Sequence, residues 1–260
     1  MLVLVPGPVV VAAHGTRSAA GREVVEAVAR RVAGLLPGRD VVVGCVDVAV
    51  QRPGVADVLR ELGPSQDAPA SVVPVLLSRG KHARDDLGDA VAEAHVPARV
   101  AGPLGPSRLL AAAGARRLAE AGVGVEVPVV LAAAGSVDPR SFVDLTAAAR
   151  LLEHARGPAG PDRPPAEVAP AFVTAAPPRP PLTRRRLRER AGRDAAMSPY
   201  MLAPGFLPDR LVRQAPGGVV AAVLGDAPEV AARVVEVVRA LDAQGRAEVA
   251  AADGKHPPSA

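Results

Sequence analysis

The sequence predicts an α/β protein of two tandem Rossmann-like lobes, each with a parallel sheet, related by an internal duplication. Three observations support this prediction. Short Val-rich runs recur along the chain, helical patterns lie between them, and three markers of the first half return in the second. Continuously apolar runs are typical of parallel strands covered on both faces, and alternation of strands with helices indicates α/β architecture.

Seven runs rich in Val, Ala and Leu are predicted as strands, because Gly, Pro or Asp bound them. Helices are predicted where apolar residues recur at 3.6-residue spacing, and Pro228 suits the first turn of the last one. The predicted strands cover residues 8–13, 40–48, 71–77, 127–133, 168–175, 200–203 and 218–224. The predicted helices cover residues 22–36, 55–62, 142–152 and 228–241.

The internal repeat divides the chain into two copies of one unit. Residues 12–17 are echoed by residues 132–137, residues 46–48 by 173–175, and residues 74–80 by 199–205. The markers keep the same order and nearly the same spacing. We therefore predict a first lobe over 1–124, a second lobe over 125–250 and a disordered tail over 251–260.

The composition indicates a soluble globular protein and excludes several function classes. Hydrophobic residues make up 49% and charged residues 22% of the chain. Aromatic residues, at 2%, are too few for the stacking platforms that bind single-stranded nucleic acid. The single cysteine, Cys45, excludes a disulfide framework and a multi-cysteine metal site, and it favours a reducing, cytoplasmic location.

No part of the sequence indicates a membrane-spanning segment or a nucleotide-binding site. The apolar N-terminal run lacks a positive region and leads directly into His14, so we interpret it as a first strand and not as a signal peptide. No stretch approaches the roughly 18 apolar residues of a membrane span. Gly80-Lys81 lacks the residues of a phosphate-binding loop, and Gly122-Val123-Gly124 lacks the third glycine of a dinucleotide fingerprint.

A cationic cluster over residues 184–193 is the main feature that suggests nucleic acid. We favour a solvated helix face, because no recognition motif accompanies the cluster and a net charge of +4 is mild for this length. We therefore expect no nucleic-acid partner. Contact between some of these arginines and an anionic ligand stays open.

Three polar residues at predicted strand ends occur in the first copy only. The carboxyl ends of parallel strands form the ligand crevice of an open sheet, so we expect all three side chains on one rim. Two imidazoles and a carboxylate suit a borderline divalent cation. The residues are His14, Asp47 and His82, and the second copy has Ala134, Thr174 and Leu207 in their places.

Each of these residues also has a simpler interpretation. His14 could cap a helix or bond a backbone carbonyl, and Asp47 could be a turn residue at a strand end. His82 lies in a polar segment that could simply begin a helix. The occurrence of all three residues at equivalent rim positions favours a metal site over these simpler interpretations.

The segments that carry these residues resemble the sirohydrochlorin chelatases. His14-Gly15-Thr16-Arg17 after a strand resembles that family's His-Gly-Ser-Arg opening. Residues 74–77 with 82–87 are similar to its strand and turn with a second histidine, and residues 46–53 resemble its strand with an acidic residue ahead of a proline. The second half resembles the degenerate copy of long, fused members, so the resemblance covers about residues 8–241.

Two positions depart from the family pattern. Asp47 stands where the family usually has the longer Glu, and Gly88 stands where it has a proline. Because Asp is one methylene shorter than Glu, the first change alters how far the Asp47 carboxylate reaches toward a metal.

The resemblance implies an enzyme that inserts a divalent metal into sirohydrochlorin without ATP, in sirohaem or cobalamin biosynthesis. We expect Fe²⁺, or alternatively Co²⁺, as the metal substrate, and a tetrapyrrole between the lobes. The resemblance assigns His14 as chief metal ligand and proton acceptor, His82 as second ligand, and Asp47 as third ligand or as the group that orients a histidine. Cations beside these residues are expected to hold the carboxylates of the macrocycle, namely Arg17, Arg79, Lys81 and Arg84.

Other functions use the same residues. A non-catalytic carrier would hold a metal or tetrapyrrole without turnover, and an α/β interaction module would bind neither. We expect a monomer, because an internal duplication removes the need for a second chain to form the cleft.

Overall fold

The structure, a computed structural model, describes residues 6–64, 69–79, 81–136, 138–160, 164–174 and 177–253, with the backbone alone for 81–85 and 249–253. The first half of the chain contains β1 (Val9–Ala13), α1 (Ala19–Leu35), β2 (Val41–Cys45), α2 (Val55–Leu62), β3 (Ala70–Pro74), α3 (Lys81–Ala94), β4 (Ala98–Val100) and α4 (Arg108–Glu120). The second half contains β5 (Val129–Ala133), α5 (Pro139–Arg156), β6 (Val168–Phe172), α6 (Pro180–Ala191), β7 (Ala196–Tyr200), α7 (Phe206–Gln214) and α8 (Pro228–Asp253).

The strands form two parallel sheets, which confirms the predicted fold class. The first sheet has the order β2-β1-β3-β4 and the second the order β6-β5-β7. The central strands pair in matching register, Val9 with Val41 in the first sheet and Val129 with Val168 in the second. The duplication seen in the sequence is therefore also a duplication of topology.

Several predicted boundaries were wrong. The strand predicted over 200–203 ends at Tyr200, because β7 covers Ala196–Tyr200. The run 218–224 makes one isolated bridge, between Met197 and Val220, and forms no strand. Strand β2 ends at Cys45, which places residues 46–48 in the following turn. The sequence analysis did not predict β4, α4 or α7, and α8 continues into the predicted tail, whose residues 254–260 lie outside the described residues.

The alternation of side chains in β1 explains how each sheet is covered. Val9, Val11 and Ala13 pack in a central core with helices α1, α4, α5 and α8. Val10 and Ala12 point to the opposite face, where they pack in a second cluster with residues of α2 and α3. The second sheet is covered in the same way, by the central helices on one face and by α6 and α7 on the other.

The two halves exchange their last helices. Helix α8 packs against α1 and β3 of the first sheet, although it ends the second half of the sequence. Helix α4 packs against α5 and β7 of the second sheet, although it ends the first half. Helices α4 and α8 also touch each other, so one core runs through the whole molecule.

Ion pairs fasten α8 and the segment before it to the first half. Arg39 Nη1 lies 2.7 Å from Asp242 Oδ2, and these side chains are only 7% and 19% exposed. Arg31 and Asp226 make a similar contact at 2.8 Å, and Arg99 and Glu248 one at 3.1 Å, in more exposed positions. Exposed pairs contribute only ~0–1 kcal/mol, whereas the largely buried Arg39 pair is shielded from water.

Three of the five arginines of α6 are paired with carboxylates, as is Arg193 just after the helix. Arg190 Nη2 lies 2.6 Å from Glu167 Oε1, and Arg184 pairs with Asp194. The hydrogen bond from Arg184 lowers the pKa of Asp194. Arg185 and Arg193 are also paired, with Glu189 and Glu126. This pairing agrees with a solvated helix face.

The longest helix, α8, carries charged residues such as Glu229, Glu236 and Asp242 along its length. Within the described ranges, no helix combines the length and the apolar character that crossing a membrane requires.

Candidate active site

A cleft of about 570 Å³ opens between the carboxyl ends of the two sheets. Its lining includes residues that follow β1 and β3 in the first half and residues that follow β5 and β7 in the second. Clefts of this size at strand ends are the usual ligand sites of α/β proteins. The cleft is therefore the candidate active site.

His14 lies at the rim of the cleft, in the loop that leaves β1, and its side chain is exposed. The loop is fixed from several directions. The His14 carbonyl accepts a hydrogen bond from Asp47 N (3.0 Å), and Thr16 N donates to Gln51 Oε1 (3.1 Å). Gly15 has a φ of +108°, which side-chain-bearing residues rarely adopt. These contacts fix the backbone of the loop from which the imidazole projects at the cleft.

The second half repeats this loop in detail. The Ala134 carbonyl accepts from Thr174 N (2.9 Å), as that of His14 accepts from Asp47 N. Gly135 has a φ of +126°, like Gly15. Ala134 also lines the cleft. The two loops are thus equivalent, and only one of them offers an imidazole.

The carboxylate of Asp47 takes part in a turn. Its Oδ1 accepts a hydrogen bond from Ala49 N (3.0 Å), which is the arrangement expected of an aspartate in a turn. Asp47 is half-buried and does not belong to the cleft lining. The backbone of Asp47 therefore contacts His14, whereas its carboxylate bonds Ala49 within the turn.

His82 is the second residue of α3, where the structure describes the backbone alone. Its counterpart in the other half, Leu207, is the second residue of α7 and lines the cleft. Among the side chains that the structure describes, no group of three His, Cys, Asp or Glu lies together closely enough to hold a metal ion. The predicted trio therefore stays a prediction.

The predicted carboxylate-binding cations lie in different surroundings. Arg79 lines the cleft, but its Nε lies 3.1 Å from Asp144 Oδ2 of the second half. Arg17 is exposed and lies outside the cleft lining. Lys81 and Arg84 belong to the part of α3 described by its backbone alone.

Sequence reasoning missed Arg22, which lines the cleft from helix α1. Its Nη1 donates to the carbonyls of Thr16 (3.4 Å) and Arg17 (3.2 Å). The predicted helix began at Arg22, whereas α1 begins at Ala19 after the N-cap Ser18. The capping residue was the signal that could have placed Arg22 in the first turn, beside the His14 loop.

The second half supplies an apolar wall that the sequence analysis did not assign. Met201, Leu202, Phe206 and Leu207 all line the cleft, and Phe206 is 68% exposed. An exposed Phe at the mouth of a cleft offers a flat apolar surface to a ligand. The alignment of residues 74–80 with 199–205 was the signal that could have found this wall.

Tyr200 lies at the base of the cleft and is almost fully buried. Burial, and then the negative charge of Asp144, raise the pKa of its phenol. Its hydroxyl has no hydrogen-bond partner among the described residues. Tyr200 therefore stays uncharged at neutral pH, with its hydroxyl enclosed by the protein.

Comparison with solved structures shows the same fold in three proteins. SirB from Bacillus subtilis, solved with Fe³⁺, has a TM-score of 0.76 at 22% identity, with 94% of this chain and 98% of that chain covered. SirB from Bacillus subtilis subspecies spizizenii is a sirohydrochlorin chelatase solved in complex with cobalt. It has a TM-score of 0.69 at 20% identity, with 90% of this chain and 94% of that chain covered. A multi-domain protein from Deinococcus radiodurans with structural similarity to chelatases has a TM-score of 0.63 at 21% identity, covering 90% of this chain and 55% of its own.

Sequence comparison identifies the family. No curated protein sequence matches the chain. A sequence model of the CbiX family matches residues 8–121 and matches again over residues 128–241. The two matches correspond to the two halves of the fold, each with its own parallel sheet. The resemblance to the long, two-copy sirohydrochlorin chelatases is thereby confirmed, and the chain belongs to the CbiX family.

Proposed function

We propose that this protein inserts a divalent metal, Fe²⁺ or alternatively Co²⁺, into sirohydrochlorin without ATP. The observation that carries the proposal is the cleft itself, which places one exposed imidazole, His14, opposite an apolar wall. Sirohydrochlorin is a macrocycle with two apolar faces, four inward nitrogens and a rim of carboxylates. Such a molecule matches a cleft with apolar walls and a metal-binding group at its edge.

The apolar wall accounts for how the macrocycle would be held. Met201, Leu202 and Phe206 provide adjacent apolar surface on the side of the second half. Burial of apolar area contributes about 25 cal/mol per Å². Contact of this wall with one ring face would orient the other face toward the His14 loop.

His14 would bind the metal and accept protons. Insertion removes two pyrrole N–H protons while the metal exchanges water ligands for ring nitrogens. A neutral imidazole can do both, since it binds borderline metals and accepts a proton on its free ring nitrogen. The hydrogen bonds to the His14 and Thr16 backbone fix the loop that carries this imidazole at the edge of the cleft.

His82 and Asp47 complete the proposed ligand set. The position of Leu207 in the cleft lining supports His82, because the two residues occupy equivalent positions in α7 and α3. For Asp47 we keep the role of third ligand or of a group that orients a histidine. Its Oδ1 bonds Ala49 N, so the role falls to Oδ2.

A turnover experiment tests the proposal. The protein is mixed anaerobically with sirohydrochlorin and Fe²⁺ or Co²⁺, and the absorbance of the macrocycle is followed against a protein-free blank. We expect metallated product in excess of the protein present. A reaction that stops at one equivalent would instead indicate a carrier, and absorbance changes equal to the blank would contradict the proposal. Comparison of the two metals at equal concentration would choose between them. The cytoplasmic location and the monomeric state stay predictions, which fractionation and light scattering would test.

A further inference from the structure

We infer that Arg22 binds a peripheral carboxylate of the macrocycle and so sets the preference of the cleft for a polyanionic substrate. This inference rests on the proposed function and adds a binding residue to it. It begins from the charges that line the cleft. Among the described side chains of the lining, the guanidinium groups are those of Arg22 and Arg79.

These two guanidinium groups differ in their partners. Arg79 already pairs with Asp144, at 3.1 Å. Arg22 is half-buried and, within the described part of the chain, makes no ion pair with a carboxylate. The carboxylate residue of the same described lining, Glu26, pairs with Arg30 at 3.9 Å on helix α1. Arg22 is therefore the lining guanidinium whose charge is available to a ligand.

The contacts of Arg22 orient the guanidinium without occupying it. Its Nη1 donates to the Thr16 and Arg17 carbonyls at 3.4 and 3.2 Å, at the long end of the normal hydrogen-bond range. The Nε and Nη2 groups remain available for the two oxygens of a carboxylate, and such bidentate pairs are among the strongest polar contacts in proteins. Because the side chain is already held, little conformational freedom is lost on binding.

The position of Arg22 suits the edge of the macrocycle. It lies in the first turn of α1, directly after the loop that carries His14. A macrocycle with its centre at His14 would direct its peripheral carboxylates toward the surrounding walls. The positive end of the α1 dipole adds to the attraction for an anion there.

The test compares Arg22→Gln with Arg30→Gln. Both variants remove one arginine charge from α1, but Arg30 lies outside the cleft lining. Binding of metal-free sirohydrochlorin is measured by absorbance titration at several salt concentrations, together with KM and kcat for Co²⁺ insertion. We expect Arg22→Gln to raise Kd and KM about tenfold with kcat unchanged, and to weaken the salt dependence of binding. Arg30→Gln should resemble the wild type.

A third variant, Arg22→Lys, separates charge from loop structure, since it keeps the charge and loses the planar fork. We expect it to retain the salt dependence of the wild type and to bind with intermediate Kd. Equal Kd for wild type and Arg22→Gln would overturn the inference while leaving metal insertion in place. Equal losses in Arg22→Gln and Arg30→Gln would overturn it too. A wild type that binds sirohydrochlorin through Arg22 without inserting metal would contradict the proposed function alone.

Discussion

Arg79 Nε lies 3.1 Å from Asp144 Oδ2, and this ion pair joins the loop after β3 to helix α5 of the other half. Ser141 Oγ also donates to the Arg79 carbonyl at 2.7 Å. The Arg79 side chain is 49% exposed and that of Asp144 is 10% exposed. Two contacts thus hold one residue of the segment that leads toward His82.

Asp144→Asn should loosen this segment. The substitution removes the charge that Arg79 faces, so we expect a loss of stability of about 1 kcal/mol or less and faster amide hydrogen exchange over residues 75–79. The control is Asp89→Asn on the exposed surface of α3, which makes no ion pair in the described structure. Equal exchange in wild type and Asp144→Asn would show that the pair does not hold the segment.

His14→Ala should abolish metal insertion and leave the fold intact, because the side chain is exposed at the rim of the cleft. Circular dichroism and thermal unfolding check the fold, and the anaerobic assay checks activity. His154→Ala, an exposed histidine on α5, is the matched control and should keep full activity. Full activity in His14→Ala would rule out the assigned role.

His82→Ala distinguishes a ligand from a helix-starting residue. If His82 binds the metal, the variant should bind Co²⁺ more weakly at unchanged melting temperature. A lower melting temperature with unchanged Co²⁺ affinity would show that His82 serves the start of α3 instead. Titration of the metal-free protein with Co²⁺ and a thermal melt give both measurements.

Gly105→Ala should destabilise the protein from the base of the cleft. A Cβ at this position would overlap the Tyr200 hydroxyl and the Leu77 carbonyl. Overpacking of this kind costs ~1–3 kcal/mol, and each kcal/mol lowers the melting temperature by about 2–4 °C at this chain length. Gly102→Ala is the control, because its Cβ would meet no atom within 4 Å. Equal melting temperatures for the two variants would contradict the packing seen here.

The pair between Arg31 and Asp226 should make stability depend on acid pH. Hydrogen bonds from Arg31 lower the pKa of Asp226 from its ordinary value of 3.8. Because the folded carboxyl binds its proton less tightly than the unfolded one, the pair contributes its full stability above about pH 4 and loses it as pH falls through the folded-state pKa. Wild type should thus melt higher than Asp226→Asn at pH 7, and the gap should close in acid. Asp89→Asn should show no such closing gap, and a gap constant down to pH 2 would refute the assignment.

Local patterns predicted much of the fold. Val-rich runs located five of the seven predicted strands, because an apolar run fits a sheet covered on both faces, and the run 200–203 overlaps β7 at Tyr200 alone. The repeat located the equivalent loops at His14 and Ala134, since a glycine, Gly15 or Gly135, follows each of these residues. The rim position of His14 followed from its place at the end of β1.

The sequence analysis did not predict the long-range contacts. The apolar stripe of α8 is the same whichever sheet it covers, so periodicity could not reveal that it packs on β3. Arg79 was predicted to hold substrate, but its partner Asp144 lies in the other half of the chain, where no local pattern could indicate it. Arg22 was missed because the helix was predicted to begin too late.

The exchange of α4 and α8 makes each repeat incomplete by itself. A lone copy would leave one side of its own sheet partly bare, and a second copy must supply the covering helix. Fusion of two copies into one polypeptide meets that need permanently, at any protein concentration. It also separates architecture from chemistry, because the second half has Ala134 in place of an imidazole and still supplies the helix that covers the first sheet.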